Sequence, residues 1–190
     1  MNEKKRIAAG TAAFVVLLLF AFFAYHILSD EAGLPETLQP NSEAGDGQAY
    51  APDFTVVDAG DNEVKLSDFL GTPVVLNFWA SWCPPCKAEM PDFNKVYGEI
   101  GDDVIFMMVD LVDGRRETKE KGEKHVTDMG FSFPVFYDTN GSAARAYGIT
   151  AIPTTVFIDK DGCIAGSVQG SIGETDLRRR VDMILLSEQL

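Results

Sequence analysis

The chain has 190 residues, 46% hydrophobic and 24% charged, with a formal net charge of -13; this is a globular composition, not a disordered one. The acid excess excludes nucleic acid as a partner, because phosphate binding needs a basic face. Three cysteines make at most one pair with one left over, which excludes a disulfide framework and leaves the core to hold the fold.

Lys4, Lys5 and Arg6 precede a run of 22 residues, 7–28, that holds no Asp, Glu, Lys or Arg. About 20 apolar residues span the hydrocarbon layer of a bilayer. Basic residues lie before the run, and Asp30 and Glu31 follow it. The positive-inside rule therefore predicts residues 1–6 in the cytoplasm, 7–28 as a single-pass signal anchor, and the remainder on the extracytoplasmic side. The rival is a cleaved signal peptide, whose apolar region is shorter, about 7–15 residues; a cut after Ala24 would also put the bulky Phe22 where a small side chain is wanted. Both readings export the domain. Residues 29–49, rich in Gly, Pro, Ser and acids, lack apolar periodicity and read as a flexible tether. Residues 50–190 remain as the exported domain, with 13 basic and 23 acidic side chains.

Within that domain "FTVVDAGDNEVKLSDF" reads as a strand, a turn at Gly60-Asp61-Asn62 and a short helical turn from Ser67. "PVVLNFWA", 73–80, is a continuous apolar run of the buried parallel-strand type. A helix follows from Pro84, since proline suits a first turn; Met90, Phe93, Val96 and Tyr97 mark its inward face, and Pro91 predicts a kink. "DVIFMMVDLV" is a second buried strand, and the charged stretch up to Gly130 is a solvated helix with His125 exposed on it. "FPVFYD" is a strand, "SAARAYGI" a short helix, and "PTTVFIDKDGCIAGSVQG" a hairpin turning at "DKDG". The last helix carries an apolar stripe of Leu177, Val181, Ile184 and Leu185. Alternating strands and helices predict an α/β fold with helices on both faces of the sheet. The final hairpin makes that sheet mixed.

"WCPPCK", 82–87, sets two cysteines two residues apart at the start of a helix. The first sulfur there lies near unpaired backbone N–H groups and the positive helix end, which stabilise a thiolate. Cys83 is thus the expected nucleophile and Cys86 the resolving thiol. Pro84 and Pro85 carry no N–H, so donors to the Cys83 sulfur begin at Cys86. Fewer donors mean a less stabilised thiolate, which suits a reductant better than an oxidant. Glu89, three residues after Cys86, lies on the same helix face. If buried, its pKa rises and it can exchange a proton with the Cys86 thiol; alternatively it is a surface glutamate paired with a lysine.

A strand ending in "FWASWCPPC" that leads into a helix resembles the thioredoxin fold, and "GITAIPTTVFID", 148–159, matches its second landmark, a cis-proline facing the active site. Glu89-Met90-Pro91 and the added strand-helix-strand between Val104 and Tyr137 resemble the membrane-anchored extracytoplasmic branch typified by ResA, TlpA and CcmG. The resemblance covers residues 50–187. It implies a thioredoxin-like mixed sheet with an N-terminal strand extension and a strand-helix insertion, and a thiol-disulfide oxidoreductase with no cofactor beyond the Cys83–Cys86 couple. It implies that Pro153 is cis and that Ile152 offers its backbone to an extended substrate, with Trp82 and Pro84 forming an exposed apolar rim; Trp79 is core or a second flank. It also implies disulfides of exported proteins as substrates, such as apocytochrome c or a methionine sulfoxide reductase, and a membrane electron donor of the CcdA or DsbD type. One departure stands out: the buried aspartate six residues before the first cysteine of thioredoxin is Asn77 here, and Glu89 is the expected replacement.

A disulfide-forming oxidase would use the same residues at the opposite redox poise. A thiol peroxidase needs a Thr-x-x-Cys type sequence, and Ala80 occupies the threonine position. Zinc binding needs four ligand positions that one Cys-x-x-Cys does not fill. A non-catalytic scaffold has no use for an intact cysteine pair. Cys163, after the hairpin turn, is expected to pack as a small strand residue, with a regulatory thiol as its alternative.

Overall fold

The computed structural model describes residues 49–186. The predicted cytoplasmic segment 1–6, the anchor 7–28 and all but the last residue of the tether 29–49 lie outside the described residues. Among the described residues no helix is long and apolar enough to cross a membrane.

Among the described residues the first elements are an antiparallel hairpin of β1 (Thr55–Val57) and β2 (Glu63–Lys65), followed by a 3-10 turn at Leu66–Phe69. The apolar run at 73–80 forms β3 (Val74–Trp79), buried at every position. It feeds α1 (Pro84–Ile100), which continues through Pro91 as a single helix. Then come β4 (Ile105–Asp110), α2 (Lys119–Met129), β5 (Val135–Tyr137), α3 (Ser142–Ala146), the hairpin β6 (Thr154–Ile158) and β7 (Ile164–Gln169), and α4 (Glu174–Leu186). The seven strands form one sheet in the order β2-β1-β5-β4-β3-β6-β7. β3, β4 and β5 run parallel, and the remaining neighbours pair antiparallel. The expected mixed sheet is present, and the strand-helix-strand expected between Val104 and Tyr137 is β4-α2-β5.

Side-chain alternation along β3 splits the core in two. Val75 and Trp79 join Met90, Phe93, Phe106, Met108, Leu177 and Val181 on one face, beneath α1 and α4. Val74, Leu76 and Phe78 join Met107, Val109, Val156 and Ala143 on the other. Burying each large side chain of this kind stabilises the fold by about 1.5–3 kcal/mol. Asn77 lies between Val75 and Trp79 in that alternation, so its amide is carried into the interior toward α1.

Helix ends follow local chemistry. Cys83 is the N-cap of α1, with prolines in the next two positions. Thr118 caps α2, and Gly130 closes it at φ +68°, a left-handed position that glycine occupies without a Cβ penalty. Leu177, Val181 and Ile184 of the predicted stripe on α4 are buried.

Candidate active site

β3 ends at Trp79 and α1 begins after Cys83, so the four intervening residues form the turn that presents the cysteine pair. Cys83 and Cys86 are joined as a disulfide, and both are buried. The Cys83 Sγ accepts one backbone hydrogen bond, from the Cys86 N–H at 3.3 Å. The donor is Cys86, the first residue after the two prolines that carries an N–H, in line with the expectation that donors begin there. The Ile152–Pro153 peptide bond is cis, and the Ile152 carbonyl oxygen lies 3.7 Å from the Cys83 sulfur. The loop before β6 thus borders the cysteine pair, while Pro84 and Pro85 face solvent beside it.

Trp82 departs from the expected exposed rim. It is half-buried, and the Arg116 guanidinium carbon sits 3.4 Å from its ring centroid. Trp79 is fully buried core. His125 is not the exposed helix residue expected from its charged surroundings. It is half-buried, with its ring 6.1 Å from Trp79 and 6.3 Å from Phe131. Burial and the nearby Lys87 charge hold its pKa below the ordinary histidine value, against the opposing pull of Glu117 and Asp128.

Glu89 is buried, which removes the surface-glutamate alternative. Its Oε1 accepts from the Asn77 amide at 2.9 Å, and its Oε2 accepts from the Ile172 N–H at 2.9 Å. The Asn77 amide also donates to the Thr155 hydroxyl at 3.0 Å, across the antiparallel pairing of β3 with β6. Burial pushes the Glu89 carboxyl up to about 7, against the lowering effect of its two hydrogen-bond donors. A proton at this position is therefore gained and lost near neutral pH, one helical turn beyond Cys86.

Two further buried acids stand near the turn, and the sequence did not announce them as a pair. Glu117 accepts from the Ser81 N–H at 2.8 Å and from the Ser81 hydroxyl at 2.8–2.9 Å, tying the residue before Trp82 to the segment ahead of α2. Asp110 ends β4 beside Trp79, and neither of its carboxyl oxygens has a hydrogen-bond partner. Burial first, and the Glu117 charge second, push its pKa up to about 8, so it carries a proton at neutral pH. The signal for Asp110 was present as a charge closing the apolar run "VIFMMV"; Glu117 looked like any other acid in a charged stretch. Cys163, the third cysteine, is buried where the β6–β7 turn pairs with Tyr50.

The arrangement can carry two-electron exchange. A thiolate at Cys83 attacks a disulfide and releases one thiol; Cys86 attacks the resulting mixed disulfide, releases the second thiol, and leaves Cys83–Cys86 oxidised.

Comparison with known proteins agrees with this chemistry. The model of the AhpC/TSA family matches residues 48–167. The thiol-disulfide oxidoreductase ResA of Geobacillus kaustophilus (strain HTA426) is 30% identical over 187 residues, covering 97% of this chain and 99% of that one. ResA of Bacillus subtilis (strain 168) is 28% identical over 184 residues, covering 97% and 96%. Among solved structures, StoA from Bacillus subtilis superposes with a TM-score of 0.60 at 27% identity, covering 68% of this chain and 96% of that one. A thiol:disulfide interchange protein from Chlorobium tepidum superposes at 0.64 with 28% identity, covering 73% and 97%.

Proposed function

The chain belongs to the AhpC/TSA family and is a thiol-disulfide oxidoreductase of the ResA kind; from that premise we propose that it works as a reductase of disulfides in exported proteins, held at the outer face of the membrane by residues 7–28. Residues 1–6 lie in the cytoplasm on this reading, 29–49 are the tether, and 50–190 carry the chemistry. Cys83 is the attacking thiol and Cys86 the resolving one. Glu89 takes the proton from Cys86 as that thiol attacks. Pro84, the backbone of Ile152 and the part of Trp82 that Arg116 leaves open form the surface that receives the substrate, with the buried cis-Pro153 setting the course of the Ile152 backbone. Electrons arrive from an integral membrane donor of the CcdA or DsbD type, and apocytochrome c and methionine sulfoxide reductase are the substrate classes to test.

The observation that carries the reducing direction is the single backbone donor on the Cys83 sulfur. A strong oxidant of this fold is one whose reduced, thiolate form is stabilised. With Pro84 and Pro85 removing two N–H groups, that stabilisation is reduced and the disulfide is relatively favoured, which lowers the potential. The test is the redox state of the couple in growing cells, read by acid quenching and thiol alkylation. The expected result is a predominantly reduced Cys83–Cys86 pair that becomes oxidised when the membrane donor is deleted. A pair found oxidised with the donor intact would instead support disulfide formation.

A further inference from the structure

We propose that Arg116, together with Arg115, Lys121 and Lys87, forms a basic rim beside the Cys83–Cys86 centre that favours target disulfides flanked by acidic residues. This deepens the proposed function and rests on its dithiol exchange.

The rim stands out against the rest of the domain, which carries 13 basic and 23 acidic side chains. Lys95, Lys119, Lys124, Lys160 and the three arginines 178–180 are ion-paired. Six basic side chains have no ion pair among the described residues, and four of these are the ones named here. Arg116 is stacked on Trp82, the residue next to Cys83. Lys87 is exposed on α1, and its N–H bonds the Cys83 carbonyl at 3.1 Å. Four of the six basic side chains without an ion pair thus belong to the start of α1 and to the segment that covers Trp82, beside the cysteine pair.

The segment that carries the arginines is braced. Glu117 grips Ser81 from one end. The Asp113 carboxylate accepts the N–H groups of Arg115 and Glu117 at 2.8 and 2.9 Å. The Lys121 ammonium donates to the carbonyls of Arg115 and Arg116 at 3.1 and 2.8 Å. Two negative charges therefore accompany the rim, but the Glu117 carboxylate is buried against Ser81, and that of Asp113 accepts backbone N–H groups. The Trp82 face fixes the Arg116 guanidinium and leaves its edge donors for a carboxylate, the partner this planar group fits best. Holding the side chain in advance reduces the ordering entropy that a free arginine loses on binding. On the other side of the sulfur lie Ile152 and cis-Pro153. A substrate segment would pair with that backbone and place its flanking acids on the rim.

The test uses pre-reduced protein and three disulfide-bonded peptides that differ only in the residues flanking the cystine: glutamates, glutamines or lysines. The net negative charge of the domain alone favours the lysine peptide. The rim predicts the reverse at low ionic strength, with the glutamate peptide reduced faster by about tenfold, the lower end of electrostatic steering. Arg116→Glu should level or invert that order, and Arg116→Gln should bring it partway. Arg145→Glu, the same change of net charge on α3 across the sheet, should preserve the order. Equal rates for all three peptides in the wild type, or an order that Arg116→Glu leaves intact, would overturn the rim while leaving dithiol exchange standing. Failure to reduce any of the peptides would overturn both.

Discussion

Replacing Glu89 with glutamine separates the cost of a buried charge from the loss of a hydrogen bond, because only the first depends on pH. The folded protein holds the Glu89 carboxyl at about 7 against an ordinary value of 4.5, a difference that corresponds to about 3 kcal/mol. An unfolded chain releases this proton near pH 4.5 and the folded one near pH 7. Between those values the folded state binds the extra proton, so its stability falls as pH rises through the window. Glutamine keeps the shape without the charge. It can accept from either the Asn77 amide or the Ile172 N–H, and its own NH₂ opposes the other, a fixed cost of about 1–3 kcal/mol. Urea unfolding of the two oxidised proteins at pH 4.5 and pH 8 gives four stabilities. The wild type should lose about 3 kcal/mol more than Glu89→Gln between the two pH values. Titration of Asp110 near 8 occurs in both proteins and cancels. Parallel pH dependences would refute the assignment of this shift to Glu89, and with it the claim that a proton is available beside Cys86 near neutral pH.

Cys86→Ser should arrest the reaction at a mixed disulfide between Cys83 and the substrate, seen as a reducible adduct on a non-reducing gel, whereas Cys83→Ser should form none. Asp110→Asn should flatten the fall in stability between about pH 4 and pH 8: a carboxyl raised from 3.8 to about 8 binds an extra proton in the folded state across that window, and the stability this contributes is gone above it; thermal melts from pH 5 to 8 would record the difference. Gly122→Ala should destabilise despite the better helix propensity of alanine, because its Cβ would lie 2.1 Å from the Asp110 Oδ2; overpacking of this kind costs about 1–3 kcal/mol, read as a lower denaturation midpoint.

The parts of the site that are legible in the sequence are those set by short spacing. Cys83, Cys86 and Glu89 share one helix face, and the Pro-Pro pair at the helix start dictates which N–H groups reach the sulfur. Buried strands were legible because "VVLNFW" and "IFMMV" have no solvated face. What stayed hidden depends on chain contacts far apart in sequence. The Ile172 N–H that completes the Glu89 site comes from 83 residues away, and the Glu117–Ser81 contact spans 36. His125 was misplaced because its helix looks polar all round, yet the helix lies over Trp79 and turns that one ring inward. Trp82 was misplaced for a similar reason: nothing in "ASWCPPC" reveals that an arginine from the segment before α2 covers the indole.

The measurement that tests the reductase claim most directly is the midpoint potential of the Cys83–Cys86 couple at pH 7, by equilibration against glutathione or dithiothreitol. With one backbone donor on the Cys83 sulfur, the account predicts a value at or below that of thioredoxin, about -270 mV. A value near that of DsbA, about -120 mV, would contradict it and make the protein a source of disulfides rather than a sink.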